Sequence, residues 1–251
     1  MSAPSAFRPI VVIPVFDHEE AIGAMVAGVR ATGVECLLVD DGSKPSCAAV
    51  LDALDAADDG VHLERLPRNS GKGGAVMAGL RAAATRFGAT HAVQIDADGQ
   101  HDASDIPAFL GIARANPQAI VCGAPVYDAS VPKGRLYGRY LTHVWVWINT
   151  LSFDIRDSMC GFRVYPLASV LPLIDSERIG LRMDFDPEIV VRAHWRGVPV
   201  LNRETRVTYP SDGVSHFDLV RDNVRISKMH ARLFFGMLWR SPRLLWRKVA
   251  A

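Results

Sequence analysis

The chain alternates short apolar runs with longer stretches in which apolar residues recur every three or four positions. "PIVVIPVF" (9–16) is apolar and rich in β-branched residues, the pattern of a strand buried on both faces. In the following "DHEEAIGAMVAGVRAT", Ile22, Met25, Val26 and Val29 stand at helical spacing behind acids in the first turn, where the helix dipole favours them. "VECLLVDDGS" (34–43) is a second strand, closed by two carboxylates. "AAVLDALDAA" then reads as helix, "VHLERL" as strand and "GGAVMAGLRAAATRFG" as an Ala-rich helix. A fourth strand in "THAVQIDADG", a helix in "ASDIPAFLGIARAN" opened by a Ser/Asp cap, and a fifth strand in "AIVCGAPVY" complete the series. Strands and helices in this order predict an α/β fold with a mostly parallel sheet between helices. Ligands in such sheets bind beyond the carboxyl ends of the strands. "VDDGS" and "IDADGQ" stand at two such ends, so both acidic clusters are expected to face one crevice.

The second cluster is the more demanding. Asp96, Asp98 and Asp102 fall within seven positions at the end of an apolar run. Ionised carboxylates repel one another and are costly to desolvate, so the cluster needs a cation or a proton. Capping of the next turn and helix would explain Asp102 and Asp105 without either. Between the third and fourth strands, "NSGKGGAVMAGL" (69–80) has the look of a phosphate cradle, but no Gly lies five positions before Gly71, and Val76 breaks a GxGxxG pattern. Glycine there suits a tight loop and a close-packed helix start. Lys72 adds a cation that would suit a diphosphate.

Composition narrows the classes. With 251 residues, 49% of them apolar, and a formal net charge of +1, the chain can bury a large core and has no bulk affinity for nucleic acid. Cys36, Cys47, Cys122 and Cys160 form no CxxC pair, so neither a zinc knuckle nor a disulfide framework is indicated. The N-terminus lacks a basic start with an apolar signal core, and no run approaches the ~18 apolar residues of a spanning helix. A cytoplasmic protein is expected.

Taken in order, "IPVFDHEEAI", "LLVDDGS", "NSGKGGAVMAGL", "VQIDADGQH" and "DSMCGFRVY" resemble family 2 glycosyltransferases, nearest to the dolichyl-phosphate mannose synthase and polyprenyl-phosphate glycosyltransferase group, over roughly residues 8–217. The resemblance implies a GT-A fold, a Rossmann-like sheet flanked by helices, and a nucleotide-diphosphate sugar donor carrying UDP or GDP. It also implies a divalent cation, Mg²⁺ or Mn²⁺, and inversion at the anomeric centre. By match to the DxDxQ motif, Asp96, Asp98 and Gln100 would hold the metal, and Asp98 would be catalytic. Hard cations prefer such oxygens. Pro14, Phe16, Asp41, Lys72 and Asp96 would line the donor nucleotide site, with His216 in the "YPSDGVSHF" loop at the position of a family lysine. His18 stands where the family has Glu.

For the acceptor, Arg135 and Arg139 are the candidates for a lipid phosphate, while Pro125 occupies the place of another family Arg. Asp157, in the turn that matches Asp-x-x-Ser-Gly-Phe, would orient a sugar hydroxyl. Asp184, Asp186 and Glu188 open a helix, and one of them, with Asp186 the candidate named, would be the general base if the acceptor is a hydroxyl; a phosphate acceptor needs none.

After residue 217 the pattern changes. Arg221, Arg225, Lys228 and Arg232 form one helical stripe beside Val220, Val224, Ala231, Phe235 and Leu238, and Trp239 and Trp246 then alternate with Arg240, Arg243, Arg247 and Lys248. A docked helix with a solvated basic face would look like this, and so would a segment gripping anionic lipid. The expected organisation is a GT-A domain over 1–217 and a C-terminal amphipathic helical tail over 218–251. The expected function is metal-dependent, inverting sugar transfer to a lipid-linked acceptor at the inner membrane face, with peripheral attachment. A nucleotidyltransferase on a related fold and an inert nucleotide-sugar-binding scaffold are the alternatives.

Overall fold

A computed structural model describes residues 6–127, 133–208 and 218–250, and of 133–136 and 250 the backbone alone. Its centre is a seven-stranded sheet ordered β3-β2-β1-β4-β6-β5-β7. The strands are β1 (Pro9–Val15), β2 (Cys36–Asp40), β3 (Val61–Arg65), β4 (His91–Gln94), β5 (Ile120–Tyr127), β6 (Arg163–Pro166) and β7 (Val200–Val207). Helices α1 (Glu19–Ala31), α2 (Pro45–Ala57), α3 (Lys72–Phe87), α4 (Ile106–Ala115), α5 (Lys133–Thr150), α6 (Leu167–Ser176), α7 (Phe185–Arg196) and α8 (Leu219–Ala250) surround it.

The double apolar character of β1 has a direct structural cause. Ile10 and Val12 enter one core, with residues of α3, α6, α7 and α8, while Val11, Ile13 and Val15 enter the other, with α1, α2 and α4. Successive strand residues face opposite sides, so a strand sandwiched between two helical layers must be apolar throughout.

The chain runs outward from β1 through β2 to β3, then returns through α3 to β4 on the other side of β1. That reversal opens a crevice at the carboxyl ends of β1 and β4. Four of the six strand pairings are parallel; the other two belong to β6, which is antiparallel to both β4 and β5. The segment expected to be a turn, "DSMCGFRVY", is therefore a turn feeding a strand, and it brings Cys160–Phe162 beside the end of β4. Strand β7 and helix α6 have no counterpart in the sequence-based expectation. The fold is the expected mostly parallel α/β architecture.

The tail helix is docked. Ile226, Met229, Leu233, Met237 and Leu244 of α8 are buried in the core shared with α3, α6 and α7. Asp218 caps its start, accepting from the backbone N–H of Val220 (3.1 Å) and Arg221 (2.9 Å). Among the described residues no helix is long and apolar enough to cross a membrane.

Candidate active site

The site is built on three chain reversals at the carboxyl edge of the sheet. After β2, buried Asp41 accepts from the backbone N–H of Ser70 (2.6 Å) and of Gly71 (2.8 Å), and so fastens the Gly-rich loop to the sheet. Burial pushes its carboxyl above the usual range, against the pull of those two donors. Gly71 has φ +86°, and a Cβ there would stand 2.5 Å from the Leu181 carbonyl oxygen, so both conformation and space require glycine. The loop ends at Lys72, the first residue of α3.

Lys72 Nζ lies 2.8 Å from Asp96 Oδ2 and 2.8 Å from Asp186 Oδ2. Burial alone would favour its neutral amine, but Asp186 and Asp96 outweigh that and keep the ammonium protonated. Asp186 opens α7, is buried, and also accepts from Gln94 Nε2 (3.1 Å). Gln94 in turn accepts from the Tyr165 hydroxyl (3.0 Å). Below them the fully buried Arg163 donates to the carbonyls of Asp186 and Ser158, both at 2.6 Å. A polar network thus underlies the crevice and fixes Lys72 from beneath.

Beyond β4, Asp96 and Asp98 are only partly covered. Burial acts to raise Asp96, yet Lys72 and then His101 overcome it and hold the carboxyl below its usual range. Asp98 goes the other way, raised by burial and by its neighbour Asp96. Asp96 Oδ1 is buried with no hydrogen-bond partner among the described residues, and so is His101 Nδ1. A Cβ on Gly161 would come within 2.2 Å of Asp96 Oδ2, so the Cys160–Phe162 turn lies directly against this carboxylate.

The donor set fits a hard divalent cation: two neighbouring carboxylates, one with an orphaned oxygen, and the Gln100 amide beside them. No group of three or more His, Cys, Asp or Glu able to hold a metal occurs among the described residues.

These residues line a cleft of about 550 Å³ together with Pro14, Phe16, Asp41, Lys72 and Gln100. The structure therefore gathers all the expected donor and metal residues that it describes. Sequence reasoning missed Asn69, Arg182 and Met183, which also line the cleft, and placed Arg221 and Arg225 on a membrane-facing stripe although both border it. Arg182 lacks any motif; it reaches the cleft only because its segment packs on Gly71 and Gly74. A larger hollow of about 790 Å³ lies against α1 on the outer side of Asp98–Ser104. It holds neither Lys72 nor Asp96, so the chemistry belongs to the smaller cleft.

Two expected roles change. Asp157 accepts from Arg139 Nε (2.5 Å) and Nη2 (2.7 Å) and from the backbone N–H of Met159 (2.8 Å) and Cys160 (2.7 Å), with His143 Nε2 at 3.1 Å. With its oxygens so engaged, it shapes its own turn and holds Arg139 rather than meeting a sugar hydroxyl. These partners outweigh burial and keep its carboxyl far below the usual range. Asp186, expected as general base, is buried under Lys72 and does not reach the cleft surface. Arg139 is held bidentately by Asp157 and lies over the Tyr127 ring at 5.4 Å, beside the same turn. The Arg135 side chain and the 209–217 loop with His216 lie outside the described residues.

A family model, "Glycosyl transferase family 2", matches residues 10–170. The chain belongs to glycosyl transferase family 2. A polyprenol monophosphomannose synthase from Mycolicibacterium smegmatis is 30% identical over 231 residues, covering 84% of this chain and 83% of the relative. A dolichyl-phosphate beta-glucosyltransferase from Dictyostelium discoideum is 26% identical over 216 residues, 81% of this chain and 63% of the longer relative. Among solved structures, glucosyl-3-phosphoglycerate synthase from Mycobacterium tuberculosis, in complex with Mn²⁺ and UDP-glucose, superposes with a TM-score of 0.66 at 15% identity, over 94% of this chain and 79% of that one. At that identity the likeness is one of fold, and it is the GT-A fold of this glycosyltransferase family.

Proposed function

We propose that this family 2 glycosyltransferase moves a sugar from a nucleotide-diphosphate donor, UDP- or GDP-linked, onto a lipid phosphate, with inversion and with a divalent cation. The observation that carries the acceptor class is the state of the carboxylates. A hydroxyl acceptor needs a general base within reach. Asp157 is tied to Arg139 and Asp186 to Lys72, so neither is available to take a proton. A phosphate acceptor is already ionised and requires no base. The printed names of the polyprenol and dolichyl-phosphate relatives support the same class.

Asp96, Asp98 and Gln100 would hold Mg²⁺ or Mn²⁺, which when bound neutralises charge on the departing nucleoside diphosphate. The chain's own residues do the rest. Asp41 fixes the Gly-rich loop, α3 presents its N-terminus and Lys72 to the phosphates, and Arg182 adds positive charge along the cleft, where Arg221 and Arg225 are paired with Asp218 and Asp222. Arg139, oriented by Asp157, would receive the anionic acceptor.

Residues 218–251 serve as the attachment arm of the 1–217 domain. Facing away from the core, α8 exposes Phe235 (70%), Trp239 (86%) and Trp246 (71%), and α5 exposes Tyr137 (73%) and Leu141 (63%). Large exposed apolar residues next to cations suit an anionic membrane surface. The test is transfer of labelled sugar from UDP- and GDP-sugars to polyprenyl phosphate with Mn²⁺ present. Asp98→Ala should abolish transfer and weaken Mn²⁺-dependent nucleotide binding while the melting temperature holds. Near-normal turnover in that variant would remove the metal assignment.

A further inference from the structure

On the far side of the segment joining α6 to α7 lies a further cavity, of about 600 Å³, that the transfer reaction does not use. Arg178, Arg192, Arg232 and Arg240 converge on it, against one lining carboxylate, Glu177. It shares no lining residue with the donor cleft.

The four guanidinium groups are not equally committed. Arg192 directs Nε and Nη2 to Glu188 and Nη1 to Glu177. Glu177 is taken up further by Arg196. Arg232 uses only Nη2, on Glu188 (2.9 and 3.1 Å). Arg240 makes one hydrogen bond, to the Gly236 carbonyl (3.1 Å), and lies over the Trp195 ring at 4.6 Å. Arg178 is exposed and has no hydrogen bond or ion pair with any described residue. Three cations with unused N–H groups therefore point into a hollow whose carboxylate is already satisfied. Like charges so gathered repel, and a bound anion relieves the repulsion. Guanidinium groups match phosphate oxygens in planar, bidentate fashion.

We propose that the cavity between α7, α8 and the 177–180 segment is a phosphate-binding site, separate from the donor cleft, that takes a phosphomonoester through Arg178, Arg232 and Arg240. The phosphomonoester comes either from a lipid headgroup, since α8 exposes Phe235 and Trp239 beside Arg232 and Arg240, or from a soluble phosphorylated molecule. The site stands independently of the donor and acceptor assignments above.

The test compares two double variants of the full chain that remove equal charge. Arg178→Gln/Arg240→Gln removes two of the four guanidinium groups that line the cavity; Lys228→Gln/Arg243→Gln removes two exposed cations of α8 outside it. Each is titrated with phosphatidylcholine vesicles carrying phosphatidic acid and, calorimetrically, with inorganic phosphate. The cavity variant should lose affinity by about tenfold or more in at least one titration, with the control losing much less. A loss confined to vesicles assigns a lipid headgroup; a loss confined to inorganic phosphate assigns a soluble ligand; loss in both assigns a site that either source can fill. Equal losses in the two variants, or no loss in either, would overturn the proposal. Should the cavity variant fail to fold, phenylglyoxal labelling of the wild-type protein decides. Phosphate should protect Arg178 and Arg240 but not Arg243, and equal protection of all three would count against the site.

Discussion

At Asp96 three demands meet on one side chain. Oδ2 pairs with Lys72, Oδ1 has no partner among the described residues, and the Gly161 backbone presses against the carboxylate. Nothing else in the chain needs glycine at 161 for conformational reasons, because its φ is not in the left-handed region. The contact itself is the constraint. Gly161→Ala should therefore displace Asp96, cost about 1–3 kcal/mol of stability through overpacking, and weaken Mn²⁺-dependent nucleotide binding by about tenfold. Gly111→Ala in α4, where a Cβ would meet nothing within 4 Å, should leave binding untouched and stability equal or slightly higher. Urea denaturation and nucleotide titration of both variants check the pair. The motif residues Asp96, Asp98 and Lys72 were legible in the sequence as candidates, yet their partners were not. That Lys72 bridges Asp96 and Asp186, ninety residues apart, depends on α3 and α7 packing together. The engagement of Asp157 by Arg139 likewise depends on how α5 lies over the 157–162 turn. Spacing along a chain carries no such information.

Elements buried on both faces or carrying a clear helical period were the readable ones. β1, β2, α1 and α3 lie where their apolar patterns put them, within two or three residues at the ends. β6 was hidden because it has only four residues and follows directly on a glycine turn, so no pattern could build up. β7 forms the sheet edge, and its "VLNRETRV" is largely polar and half exposed. The period of α8 was visible, but its cations were not free as a stripe. Arg225 pairs with Asp222, Arg232 with Glu188, and Arg221 lies 3.6 Å from Asp218. The docking of α8 also changes how membrane attachment must be tested. Removing the helix would strip Met229, Leu233 and Met237 from the core and unfold the protein, since each such loss costs about 2–5 kcal/mol. Trp239→Ser/Trp246→Ser touches only exposed side chains. It should sharply reduce co-sedimentation with anionic liposomes at high salt, where screening leaves mainly apolar contacts, with an unchanged melting temperature. Undiminished sedimentation would return α8 to the role of a solvated helix.

Over the whole molecule, two helical layers close on one sheet, and the burial that this requires sets the response to acid. His91, His194 and His230 are held below the ordinary imidazole range, in each case chiefly by burial, and His230 is brought to about 4. Unfolded, each would titrate near ~6.5 and take up a proton that the folded chain refuses. Stability from these groups is complete above pH ~6.5 and declines as pH falls toward 4, because the unfolded state then binds more protons. His230, wedged between α5 and α8 with Asn149 Nδ2 at 3.3 Å, should account for roughly 3 kcal/mol of that decline. Urea midpoints from pH 7.5 down to 4.5 should fall for the wild type and fall less steeply for His230→Gln; parallel curves would deny His230 its part.

Inverting transfer onto a phosphate without a protein base is the reaction proposed for the crevice at the β1–β4 reversal. It is tested most directly by the anomeric configuration of the sugar in the polyprenyl-phosphate product, read by proton NMR from reactions with an α-linked nucleotide sugar, Mn²⁺ and the full chain. Inversion gives a β-linked sugar phosphate, absent when a chelator replaces the metal. An α-linked product, or the same yield with the chelator present, would contradict it.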